Sequence, residues 1–208
     1  KMIKRAIFDF DGTIADSKEL GIRILNDLAP KYGYQKLPET GRHEYYHMSL
    51  KRRMDALGIG YRKLMPLSRD FIGEFARHAG AVEPIPGMVD IIRQIHARGI
   101  GITIISSNSK ENIRIFLENH GLLFVDRIMG VRKLFGKEKY IRRELKELGL
   151  SPGEAIYIGD EARDVDACKK AEVRVIAVTW GFDSPRILKE AAPDFIATRP
   201  EELIELMA

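Results

Sequence analysis

From residue 87 to the end, the chain alternates short apolar runs with helical stretches, and this alternation constrains the fold more than any other feature. The runs at 100–106 (IGITIIS), 125–129 (VDRIM), 154–158 (EAIYI), 174–179 (RVIAVT) and 194–197 (DFIA) have strand length. Helical stretches at 88–98, 109–120, 137–148, 161–171, 184–191 and 200–207 separate and flank them. The punctuation agrees: Gly99 ends one helix, and Ser184-Pro185 opens another with a cap and a first-turn proline. Several runs are apolar almost throughout, the pattern of strands buried on both faces of a parallel sheet. The expected class is therefore α/β, a Rossmann-like parallel sheet covered by helices on both faces.

One further strand precedes all of these, in the stretch IKRAIFDFDGTIADS (residues 3–17). Between it and residue 85 there is no convincing strand. Leu20, Ile24, Leu25 and Leu28 mark a helix over 18–33 that Gly33 stops, and 48–58 and 67–79 read as two more helices. A core of 1–16 and 85–208, interrupted by a small helical cap of 17–84, is the expected organisation. At 208 residues and 45% hydrophobic, the chain can bury such a core.

Ligands of open parallel sheets bind outside the carboxyl ends of the strands. The first strand ends in Asp9-Phe10-Asp11-Gly12-Thr13. Acids at i and i+2 of an extended backbone project to one side, and Gly12 lets the chain turn next to them. Such a pair suits anion chemistry with a divalent metal, although two solvated acids capping a strand would look the same at this spacing. The strand at 100–106 ends in Ser106-Ser107-Asn108-Ser109, where hydroxyls and backbone N–H groups suit a phosphate oxygen. Plain helix capping is the competing account, by Asn108 with Glu111 or by Ser109. Lys137 or Lys139 places a cation at a helix start, against the helix dipole. The strand at 154–158 breaks at Gly159 into Asp160, with Asp164 one turn on. Acids clustered at a strand end repel one another unless a cation such as Mg²⁺ joins them, although an acidic N-cap with Asp and Glu in the first turn is the competing account and Asp160 serves both.

Taken in order, DFDGT, the Ser107 strand end, Lys137 and GDEARD resemble the four motifs of the haloacid dehalogenase superfamily. With its helical insertion and the VTWGFDS segment at 178–184, the chain looks most similar to the phosphoglycolate-phosphatase-like branch. The resemblance implies a Mg²⁺-dependent phosphatase. Asp9 would be the nucleophile that forms an aspartyl-phosphate, and Asp11 the general acid and base. Ser107 and Lys137 would hold the transferring oxygens, with Thr13 and Asn108 beside them. Asp9, Asp11 through its carbonyl, and Asp160 would hold Mg²⁺, with Asp164 in the outer shell. Lys137 is preferred over Lys139 on the spacing to Asp160 that the resemblance supplies. Asp11 argues against halide-removing and phosphonate-cleaving relatives. A sugar phosphomutase keeps both acids and remains the alternative, while a non-catalytic binding protein would be expected to have lost one of these positions.

The segment 42–53 (RHEYYHMSLKRR) gathers basic side chains, of which Arg42 and Arg53 are candidates for a second anionic group on the substrate; a solvated helix face is the plainer account. The formal net charge of +4 helps attract an anionic small molecule, the resemblance implies that this is a small phosphorylated substrate, and no motif points to nucleic acid. No apolar run reaches membrane-spanning length. The single cysteine, Cys168, reads as a small buried residue and fits a reducing, cytoplasmic setting, as does an opening strand in place of a leader. Trp180 has no evident role beyond packing.

Overall fold

In a computed structural model, residues 2–131 and 136–208 are described. Their strands are β1 (Arg5–Phe8), β2 (Gly101–Ser106), β3 (Arg127–Gly130), β4 (Ala155–Gly159), β5 (Arg174–Val178) and β6 (Phe195–Ala197). They form one six-stranded sheet in the order β3-β2-β1-β4-β5-β6, every pairing parallel. The period of two along each strand divides the core. Ala6, Phe8, Ile104 and Ile158 face one apolar cluster, and Ile7, Ile105 and Tyr157 face the other.

Each cluster is closed by helices. Those on the first face are α5 (Met88–Ala97), α6 (Lys110–Asn119) and α10 (Glu202–Leu206), through Ile92, Phe116 and Leu203. The opposite face carries α7 (Lys137–Leu148), α8 (Ala162–Ala171) and α9 (Pro185–Glu190), through Ile141, Val165 and Leu188. Cys168 is fully buried in that second cluster. The expected Rossmann-like sheet is thus the one observed. Its order reverses at β1, so the crevice at a topological switch point lies beyond Phe8 and Gly159.

Between β1 and β2 lie α1 (Lys18–Tyr32), α2 (His43–Tyr46), α3 (Leu50–Leu57) and α4 (Tyr61–Ala76). The chain enters and leaves this block side by side: Asp16 N–H donates to Glu83 O (2.8 Å) and Ile85 N–H to Ile14 O (2.8 Å). Helix α4 begins six residues before the expected start at 67 and runs through Pro66. Leu64, Leu67, Phe71 and Phe75 continue one apolar stripe across the proline, and their packing outweighs the single backbone bond it forfeits. The one-turn α2 was not expected either, because 34–47 shows no helical period.

Candidate active site

The backbone of β1 carries one residue past its strand, with Asp9 N–H donating to Ile158 O (2.9 Å). It then turns tightly: the N–H groups of Ile14 and Ala15 both donate to Phe10 O (2.9 and 3.0 Å). Gly12 makes the turn at φ +73°, where a Cβ would also lie 2.4 Å from Asp160 Oδ2. The turn brings Thr13 back to the neighbouring strand end, where its hydroxyl donates to Asp160 Oδ1 (2.9 Å). Asp160 Oδ2 accepts from Phe182 N–H (2.8 Å), so both of its oxygens are aimed. Trp180 fixes the same corner, its indole N–H donating to Thr13 O (3.1 Å).

Three carboxylates converge here. Asp9, Asp160 and Asp164 are buried, and each offers an oxygen within 4.8 Å of the others. Lys137 reaches in from the start of α7 and donates to Asp9 Oδ2 (2.6 Å), Asp164 Oδ1 (2.7 Å) and the Tyr157 hydroxyl (3.0 Å). Burial works against its charge, but Asp164 and Asp9 more than offset that and raise its pKa, so the ammonium stays charged. Burial also raises Asp160 well above the usual carboxylate range, with the charges of Glu161, Asp9 and Asp164 adding to it. Lys139, the other candidate, is exposed.

The three acids suit a hard divalent cation. Carboxylate oxygens are the donors such ions prefer, one ammonium stands against three carboxylates, and the buried Asp164 Oδ2 has no hydrogen-bond partner among the described residues. The carboxylate of Asp11 is not among them. It turns the other way, accepting from the Ser17 hydroxyl (2.8 Å) and from Asn108 Nδ2 (3.0 Å). Burial is the main cause that lifts it to about 6; the Asp9 charge adds to this, while Ser17 and Asn108 act against it. Asn108 is in turn held by Asn112 Nδ2 (2.9 Å) and Ser109 N–H (2.8 Å), and Ser109 supplies the cap of α6. Ser107 is half-buried beside Asn108.

A cavity of about 240 Å³ opens above Asp9 and Asp11, reached by Ser107 and Asn108 and roofed by the α1–α4 block. The two arginines of 42–53 part ways. Arg42 is half-exposed and pairs with Glu19 (2.9 Å), whereas Arg53 lines the cavity and pairs with Asp183 (2.8 Å). Asp183, Glu161, Arg163 and Phe182 are also at the site and were not singled out from the sequence. Glu161 and Arg163 sit at the start of α8 just after β4, and Phe182 and Asp183 in the loop after β5, where only the rule that ligands gather at strand ends could have pointed to them.

Residues 6–178 match the family model described as haloacid dehalogenase-like hydrolase. A phosphoglycolate phosphatase from Synechococcus elongatus is 30% identical over 200 residues, covering 96% of this chain and 94% of its own. An N-acetylmuramic acid 6-phosphate phosphatase from Pseudomonas aeruginosa is 21% identical, covering 99% and 95%. The fold is also that of CbbY from Rhodobacter sphaeroides, solved in complex with phosphate, at a TM-score of 0.74, 22% identity and coverage of 97% and 96%.

Proposed function

Because this chain belongs to the haloacid dehalogenase-like hydrolase family, we propose that it is a Mg²⁺-dependent phosphatase of small phosphomonoesters, working through an aspartyl-phosphate on Asp9. The observation that carries the reading is the meeting of Asp9, Asp11, Lys137, Asp160 and Asp164, from two strand ends and two helix starts, beside a cavity that Asp9 and Asp11 line. Asp9, Asp160 and Asp164 would hold the Mg²⁺. When bound, the ion would offset the negative charge of the phosphoryl group and its carboxylate surroundings.

The carboxylate of Asp9 attacks phosphorus, forming an O–P bond as the bond to the ester oxygen breaks. That oxygen leaves with the electron pair and takes a proton from Asp11, whose raised carboxyl keeps one available near neutrality. Asp11 then accepts a proton from the water that opens the aspartyl-phosphate, releasing inorganic phosphate. Ser17 and Asn108 keep the Asp11 carboxyl in place through both steps. Lys137 holds positive charge beside Asp9 while charge builds on the transferring oxygens, and Ser107 offers a hydroxyl to them. Thr13 acts through Asp160, orienting it.

The α1–α4 block, residues 17–84, serves as the cap. It is roped to the strand-end loops by Arg53 to Asp183, by His47 Nδ1 against Ser184 Oγ (2.8 Å) and by Lys18 Nζ to Gly181 O (2.8 Å). It excludes bulk water and contacts the leaving group. The test is phosphate release from a panel of phosphomonoesters, with and without Mg²⁺, by wild type and Asp9→Asn. Metal-dependent release that disappears in Asp9→Asn is expected. Equal release by the two proteins would refute the nucleophile, and transfer of phosphate between sugar positions without release would favour a mutase.

A further inference from the structure

The cavity that begins at Asp9 and Asp11 continues into the cap as an apolar chamber. Leu25 of α1, Met54 and Leu57 of α3, and Leu67, Phe71 and Phe75 of α4 turn toward it. These same helices pack on one another through Leu57, Leu67 and Phe75. They therefore leave a space among apolar side chains directly above the candidate nucleophile. An apolar cavity of ~150 Å³ lined by Leu, Ile and Phe suffices to hold benzene, and the whole cavity, from Asp9 and Asp11 through the chamber, measures about 240 Å³.

The cations at its wall are already matched. The Arg53 guanidinium donates to Asp183 Oδ1 (2.8 Å) and to the carbonyls of Tyr45 (3.0 Å) and Met48 (3.2 Å). Arg163 Nε donates to Glu161 (2.7 Å), which lines the same cavity. A leaving group with its own carboxylate or phosphate would have to share a guanidinium with the acid it already pairs, Asp183 or Glu161, whose charge opposes a second anion. An apolar leaving group would leave both pairs intact and displace water from apolar walls.

We propose that the site takes phosphomonoesters of compact apolar alcohols, alkyl or arylalkyl, in preference to esters that carry a second anion. This rests on the phosphatase reading above. The products are inorganic phosphate and the free alcohol, the ester oxygen leaving with the proton from Asp11.

The test is kcat/KM of the wild-type chain with Mg²⁺ for straight-chain alkyl phosphates from ethyl to hexyl, for 2-phenylethyl phosphate and for phosphoglycolate, with Asp9→Asn as control. The alkyl alcohols differ little as leaving groups, so a trend reports the cavity. The expected result is a rise of about fourfold per added methylene, equivalent to ~0.8 kcal/mol for each one buried, until the chamber fills, with phosphoglycolate below propyl phosphate. Turnover that depends on Asp9 but is flat across the series, or best with phosphoglycolate, would overturn the inference and leave the phosphatase reading standing. Failure of every ester, with Asp9→Asn no different from wild type, would overturn both.

Discussion

Arg53→Met removes the charge from the α3 side of a buried ion pair while keeping most of the aliphatic bulk. The Arg53–Asp183 contact is 2.8 Å, with side-chain exposures of 10% and 2%. Breaking such a pair from one side usually costs ~3–5 kcal/mol, because a buried charge is stranded. Here Asp183 has an escape. Burial, with the charge of Glu161, already pushes its carboxyl up to about 6, against the opposing pull of the Ala162 N–H and Arg53. Without Arg53 it climbs further, so at pH 7 neutralising it costs at most ~1.4 kcal/mol. The larger loss is the charged hydrogen bond, ~1.5–3 kcal/mol. Arg53→Met is therefore expected to destabilise by about 2–4 kcal/mol at pH 7.

The pH dependence has a definite sign. An acid whose folded pKa is raised is most favourable when protonated, and its contribution falls as pH rises from ~4 toward its folded value. The variant's folded value is higher still, so its deficit relative to wild type grows above about pH 6. Asp183→Asn leaves no charge to strand, so the double variant should lose less than the sum of the singles. Urea unfolding of the four proteins at pH 5.5, 7 and 8 reads all of this. A pH-independent penalty with strictly additive singles would mean that the pair does not fasten α3 to the loop after β5.

Gly12→Ala should lower stability by at least ~1–2 kcal/mol, the backbone cost of a left-handed non-glycine residue. It should also weaken Mg²⁺-induced thermal stabilisation, because its Cβ would fall 2.4 Å from Asp160 Oδ2 and 2.9 Å from Phe182 Cδ2; unchanged stabilisation would remove Asp160 from the metal site. Far from the site, Lys4 and then Ser151 hold Glu154 down at about 2. A depressed acid stabilises above its ordinary value of 4.5 and loses that contribution as pH falls toward about 2. Glu154→Gln should thus be less stable than wild type at pH 7, with the gap in Tm narrowing between pH 4.5 and pH 3; a constant gap would assign the loss to packing.

Some of this protein was legible in the chain itself. Strand–helix alternation is a local, periodic signal, and six apolar runs specified a parallel sheet because only burial on both faces tolerates them. Glycine next to acid at a strand end is equally local, which is why Asp9, Asp11, Asp160 and Asp164 stood out. The stretch around Pro66 was not legible in this way. The expected helix opened at 67, one residue after it, whereas the apolar stripe that carries α4 through the proline acts only once α1 is packed against it.

Direction and partnership belonged to the tertiary structure alone. The sequence did not say that the Asp11 carboxylate would be held by Ser17 and Asn108, or that Lys137 would bridge Asp9 and Asp164. Nor did it say that, of the basic residues at 42–53, Arg53 would face inward to an acid 130 positions away. Trp180 gained its partner, Thr13 O, across 167 positions. Hydrophobic periodicity records which face of an element is buried, and that much the chain carries by itself. Which charges meet inside depends on loops closed by distant strands, and on burial that makes each unpartnered charge costly enough to choose its neighbour.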